Sequence, residues 1–164
     1  MLITLKNKET LKIGGFYLKC SIGSNGLSSK KKEGDKTTPI GLFSLGKLYY
    51  RSDRLKKPET KINTKIITRK MGWCDDPKNK FYNKEIKITK KEIICEKLFK
   101  KNNSYNYLID INYNKKKTIP FNGSAIFIHL TKNYKKTAGC IALKEKDFLI
   151  LAKLINKRTK IKIT

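Results

Sequence analysis

The sequence predicts a mainly β domain with one C-terminal amphipathic helix. Short runs in which apolar and polar residues alternate recur along the 164 residues, bounded by turn signals. Only one stretch sets its apolar residues at helical spacing: Phe148, Leu151, Ala152 and Ile155. An apolar content of 38%, with 10% aromatics spread along the chain, supports a real core and a single domain over residues 1–164.

Taken in order, residues 2–5 and 11–13 read as short strands, with Gly14-Gly15 as a hairpin turn after the second. Phe16, Leu18, Cys20 and Ile22 then alternate with Tyr17, Lys19 and Ser21, a half-buried strand. Residues 23–35 hold three glycines and the run Lys30-Lys31-Lys32, a polar loop whose lysines read as solvated. Thr37-Thr38-Pro39-Ile40-Gly41 leads into a strand over 42–45 that continues to Tyr49-Tyr50, with proline fixing φ at its entry. Residues 51–61 read as charged loop and 62–67 as strand.

Residues 71–77, MGWCDDP, form an island with the only tryptophan beside a cysteine and paired carboxylates. Asp75-Asp76-Pro77 is turn chemistry and Trp73 a core anchor on the ordinary reading; a calcium loop would need more oxygen ligands at regular spacing. Residues 86–88 predict a strand, 93–100 a short helix, and Tyr105, Tyr107, Ile109 and Ile111 another strand. Asn122-Gly123 turns the chain into the apolar run 125–130, and residues 160–164 close the sheet.

The net charge of +26 invites a polyanion partner. Of 39 basic residues only Arg51, Arg54, Arg69 and Arg158 are arginine. Lysine supplies diffuse charge rather than the planar fork that reads bases and phosphates. An anionic envelope polymer therefore fits as well as nucleic acid, and no specific nucleic-acid contact is expected. No apolar stretch reaches the eighteen residues of a membrane span, and the first ten residues show no apolar signal core. Cys20, Cys74, Cys95 and Cys140 contain no C-x-x-C pair, so a metal site is not expected. If Cys140 is a nucleophile, at most one disulfide can form among the rest.

The chemistry-bearing stretch is 125–143, AIFIHLTKNYKKTAGCIAL. It carries the only histidine, His129, eleven positions before Cys140. A thiol is a weak nucleophile at its free pKa, and a neighbouring imidazole can take its proton. Gly139 permits the tight turn that would aim backbone N–H groups at a developing oxyanion. On spacing alone a second reading stands beside this one: a hydrogen-bonded core histidine and a small buried thiol at a turn.

Motifs along the whole chain bear on that choice. Glu33-Gly34-Asp35, Thr38-Pro39-Ile40-Gly41, Tyr50-Arg51-Ser52-Asp53-Arg54, Gly72-Trp73-Cys74-Asp75-Asp76-Pro77, Tyr82-Asn83 and Tyr113-Asn114 come first. Gly123-Ser124-Ala125-Ile126-Phe127-Ile128-His129 and Thr137-Ala138-Gly139-Cys140-Ile141-Ala142-Leu143 follow. In this order they resemble the L,D-transpeptidase catalytic domain family (YkuD-type), in its short single-domain branch. The resemblance implies mixed β-sheets in a sandwich-like fold with minor helices. It implies Cys140 as nucleophile, His129 as base, and N–H groups near Gly139 and Cys140 as oxyanion donors.

The implied substrates are peptidoglycan stem peptides, acylated as a thioester and passed to an amine, or to water in the L,D-carboxypeptidase outcome. A monomer in the cell envelope or periplasm, with no cofactor, is expected. Thr137, Arg51, Arg54, Trp73, Asp75 and Asp76 are the further substrate-contact candidates. The chain departs from many relatives at Ala138, in place of a second histidine. It departs again at Ala142, in place of Arg or Asn, where Arg51 or Arg54 could substitute, and at Leu130 after the histidine. Two other readings remain: a modifier of another envelope polymer, and a lysine-rich polyanion-binding module.

Overall fold

Two tight turns start the fold in the computed structural model, which describes residues 1–89 and 94–164. Asn7 and Lys8, with φ of 52° and 58°, join β1 (Leu2–Lys6) to β2 (Thr10–Ile13). Gly14 and Gly15, with φ of 51° and 87°, join β2 to β3 (Phe16–Ser21). Paired left-handed residues give a turn whose twist matches that of the flanking strands. The chain continues through β4 (Leu27–Ser28), β5 (Thr38–Pro39), the long β6 (Gly41–Tyr50), β7 (Thr64–Ile66), β8 (Met71–Trp73) and β9 (Glu85–Lys87). It then forms β10 (Glu96–Lys97), β11 (Tyr107–Ile111), β12 (Phe127–Leu130), β13 (Ile141–Leu143), α1 (Glu145–Leu154) and β14 (Lys160–Ile163).

Nine strands make one mixed sheet in the order β11-β12-β13-β3-β2-β1-β14-β6-β7. Ten-residue β6 closes it. Its first half, Gly41 to Ser44, pairs with β14, and its second half pairs with β11. The expected mainly β architecture with mixed sheets thus takes the form of one sheet curled on itself, barrel-like. The interior is filled by the inward residues of each strand, among them Ile3, Leu11, Ile13, Leu48, Ile109, Ile128, Ile141 and Ile161, all fully buried. Helix α1 adds Phe148, Leu151 and Ala152 to this core. Phe148 stacks on Tyr107 at 5.6 Å. Glu145 and Asp147 in the first turn and Lys153 in the last complement the helix dipole.

A three-stranded sheet, β10-β8-β9, packs a second core around Trp73. Trp73 meets Phe127 edge-on at 5.0 Å, and its indole N–H donates to Asn83 Oδ1 at 3.0 Å. The short helix expected over 93–100 is not found in the described part. Residues 96–97 form β10, and the Leu98 N–H donates to Met71 O at 3.1 Å. Pairing with β8 and burial of Leu98 override local preference there. Ile93 lies outside the described residues. Helix α1 is the single helix among those described, and no helix is long and apolar enough to cross a membrane.

The β8–β10 register pairs Trp73 with Glu96 and Gly72 with Lys97. One step further sets Cys95 opposite Cys74. The Cys74 N–H and C=O both bond toward the β9 side, so this is a non-hydrogen-bonded pair. Cα atoms at such positions stand about 4.5 Å apart, within the span of a disulfide. Both thiols are free here, and Cys95 Sγ leans over Gly72, 2.8 Å from where a Cβ would lie. Exchange with oxidised glutathione, releasing two glutathione thiols, should therefore join Cys74 to Cys95. Peptide mapping is expected to show that bridge with Cys20 still reduced; a bridge through Cys20 would contradict the register.

Candidate active site

Strands β12 and β13 run parallel, with Ile128 opposite Ile141 and His129 opposite Ala142. One step back, Phe127 faces Cys140, and the Phe127 N–H donates to Cys140 Sγ at 3.3 Å. The thiol in turn donates to Ala125 O at 3.3 Å. His129 is two residues beyond Phe127 on the same face, one diagonal step from Cys140, about 7–8 Å on a sheet surface. Both side chains line a cleft of about 1620 Å³. That exceeds the ~300–1,000 Å³ of a small-molecule pocket.

The loop that presents Cys140 is clasped by two threonines. Fully buried Thr38 donates to Gly139 O at 2.8 Å and accepts from the Gly23 N–H at 2.9 Å. Thr137 donates to Cys140 O at 2.6 Å and accepts from the Gly139 N–H at 3.1 Å. Gly139 itself has φ +136°, and a Cβ there would stand 2.7 Å from Thr37 O. Only glycine fits without strain.

The His129 ring is oriented by Nδ1, 2.9 Å from Leu130 O. With Nδ1–H donating to that carbonyl, Nε2 is left as the acceptor. Burial holds the imidazole below the ordinary histidine pKa; the Leu130 carbonyl and Glu96 oppose this and Lys100 reinforces it. Burial, with Glu96 second, pushes the Cys140 thiol up to about 12, against the Phe127 N–H, Lys100 and Lys31. The resting pair is therefore a neutral thiol and a neutral imidazole. No hydrogen bond joins them among the described residues; the sulfur rests instead against the backbone of Ala125 and Phe127 at the entry to β12.

Three residues complete the charge pattern around the thiol, and none was singled out from sequence for this role. Tyr105 packs against the His129 ring at 5.3 Å and donates to Glu96 Oε1 at 2.6 Å. Lys100 donates to the same oxygen at 2.8 Å. Glu96 and Lys100 lie in the stretch read as a helix, so no sequence signal aimed them at Cys140. Tyr105 was legible only as a strand residue.

Of the further candidates, Thr137 and Asp75 line the cleft. Asp75 Oδ1 is buried without a hydrogen-bond partner among the described residues, and burial, then Glu96, Glu33 and Asp76, raise its pKa. Arg51, Arg54, Trp73 and Asp76 stand outside the cleft lining. Arg51 is 2% exposed, bonds Asp53 through Nε at 2.7 Å and Nη2 at 2.6 Å, reaches Lys100 O at 2.8 Å and covers Phe99 at 3.4 Å. Arg54 binds Lys101 O, Asn102 O and Asn106 Oδ1. Both guanidinium groups are taken up in holding the 99–106 segment, which forms one cleft wall. Trp73 anchors the second core, and Asp76 caps its own turn through the Lys78 N–H. Among the described residues no cluster of three His, Cys, Asp or Glu could hold a metal ion.

Among solved structures, the helical cell shape determining protein Pgp2 from Campylobacter jejuni is similar in fold, with a TM-score of 0.51 at 17% identity. The match covers 99% of this chain and 46% of that one. Bd1075 from Bdellovibrio bacteriovorus gives a TM-score of 0.46 at 15% identity, covering 99% and 47%. The chain thus spans less than half the length of either. No curated protein matches the sequence. The profile of the YkuD family, described as the L,D-transpeptidase catalytic domain, matches residues 2–163. The chain belongs to the L,D-transpeptidase catalytic domain family.

Proposed function

We propose that the chain is a cysteine-dependent L,D-transpeptidase-like acyltransferase acting on peptidoglycan stem peptides in the cell envelope. The observation that carries this reading is the meeting of Cys140 and His129 on one cleft face, with the imidazole pinned through Nδ1. Rotation about the Cys140 side chain would release Sγ from Ala125 O and bring it to His129 Nε2. As sulfur attacks the carbonyl between an L-centre and a D-residue, the thiol proton passes to Nε2. That proton then leaves with the departing D-amino acid, and the thioester remains. An amine acceptor completes transpeptidation; water gives the carboxypeptidase outcome.

Neutral resting groups suit this order of events, because charge separates only as the attack proceeds. The cleft also carries Lys36, Lys97, Lys101, Lys132, Lys135 and Lys136, which would attract an anionic strand.

Intact mass after incubation with a carbapenem tests the reading. A covalent adduct mapped to Cys140 by peptide analysis is the expected result. A folded chain that acquires no adduct, or acquires it at another cysteine, would overturn it.

A further inference from the structure

Lys31 belongs to a lysine run that reads as solvated, yet its side chain is only 4% exposed. Two left-handed glycines make room for it. A Cβ on Gly123 would stand 2.8 Å from Lys31 Cε, and Lys31 Nζ lies 3.6 Å from the Cβ position of Gly139. The ammonium is thus held beside the residue that precedes the nucleophile, on the cleft.

Its partner is Asp35, whose Oδ1 accepts from Nζ at 2.8 Å. Asp35 is fixed in turn by the Lys32 and Thr37 N–H groups at 2.7 and 2.9 Å. Burial would raise the Asp35 carboxyl, but Lys31 and these N–H groups bring it down to about 2. The ion pair holds Lys31 in place while engaging one of its three N–H donors; the other two have no partner among the described residues.

The oxyanion site is short of donors without it. The Gly139 N–H is engaged by Thr137 Oγ1, which leaves the Cys140 N–H as the backbone donor of the Gly-Cys pair with no acceptor among the described residues. One neutral donor is a weak match for a full negative charge developing beside a buried thiol.

We propose, resting on the acyltransferase reading above, that Lys31 is the charged donor of the oxyanion site. When Cys140 Sγ bonds to the scissile carbonyl carbon, the C=O π pair moves onto oxygen. That oxygen accepts from the Cys140 N–H and from Lys31 Nζ. The pair returns as the leaving group departs, and Lys31 transfers no proton. Its fixed ion pair with Asp35 means that little reorganisation is needed as charge develops.

The test compares two reactions of Cys140 in the full chain. Acylation by p-nitrophenyl acetate, a neutral ester, passes through an oxyanion and releases p-nitrophenolate; alkylation by iodoacetamide displaces iodide with no oxyanion. Lys31→Met should slow acylation about 10²–10³-fold, the range for loss of an oxyanion donor. Alkylation, which feels only the loss of a nearby positive charge, should slow by no more than about tenfold. Lys31→Arg should recover part of the acylation rate. If Lys31→Met does not fold, Lys31→Gln carries the same comparison.

Equal loss in both reactions would make Lys31 a support for the thiol or the fold and overturn the inference. So would unchanged acylation, or a loss confined to substrates bearing a carboxylate. A wild-type chain that is alkylated but acylated by neither the ester nor a carbapenem overturns the acyltransferase reading, and this inference with it. Normal wild-type acylation with no effect in Lys31→Met overturns this inference alone.

Discussion

His129→Ala is expected to slow acylation of Cys140 by about 10²–10⁴-fold, the usual worth of a positioned general base, and Cys140→Ala to abolish it. The large effect follows from the thiol's environment. Burial and Glu96 push Cys140 up to about 12, so thiolate is scarce at neutral pH and the proton must leave as the bond forms. An enzyme working through a preformed thiolate would tolerate loss of the histidine better. Adduct formation followed by intact mass, with folding of each variant checked by circular dichroism, measures this directly. An unchanged rate in His129→Ala would remove the imidazole from the mechanism.

The same residue sets a pH dependence. Burial lowers the His129 pKa, so the folded state favours the neutral ring. The imidazole should remain a competent base below the ordinary histidine value of about 6.5, and the acid limb of the acylation profile should fall beneath it. The stability contribution has the same sign. It is complete above about 6.5 and is lost as pH falls through the depressed folded value. His129→Ala should lose both the limb and its share of the acid destabilisation. A limb at or above 6.5 would mean that the ring is solvated when Cys140 reacts.

Much of the fold and the centre of the site were legible because they rest on short-range signals. Alternation marked β3, β11 and β14, helical spacing marked α1, and a lone histidine with Gly139-Cys140 marked the candidate pair that the fold brings to one cleft. What escaped depends on distant partners. Asn7-Lys8 makes its hairpin without a glycine, through asparagine's tolerance of left-handed backbone. Residues 96–97 become a strand because β8 offers an edge to pair with. Arg51 and Arg54 look available in sequence but are consumed by Asp53 and the carbonyls of residues 100–102. Lys31 looks solvated but threads past Gly123 and Gly139, about 90 and 110 positions later. The charge on the cleft floor is thus a tertiary property, whereas the proposed nucleophile and base are marked by local signals.

Gly139→Ala is expected to disable the protein twice over. At φ +136° an alanine carries strain of about 1–3 kcal/mol. Its Cβ would also press on Thr37 O from 2.7 Å, and the opposing atom is backbone that cannot swing aside. Overpacking of this kind costs about a further 1–3 kcal/mol. In a domain of this size each kcal/mol shifts Tm by roughly 2–4 °C, so a drop of about 4–24 °C is expected in a thermal melt. Relief of the clash would also pull Gly139 O from Thr38 and its N–H from Thr137, the two bonds that aim Cys140 at the cleft. Acylation should therefore collapse at temperatures where the variant is still folded. Alanine at a loop position outside the cleft lining provides the contrast: Asn133→Ala should leave both Tm and acylation near their wild-type values, since that side chain is exposed and makes none of the clasp bonds. A Gly139→Ala variant with wild-type Tm and rate would mean that the loop can place its thiol without the left-handed turn, and the clasp of Thr38 and Thr137 would lose its role in presenting Cys140.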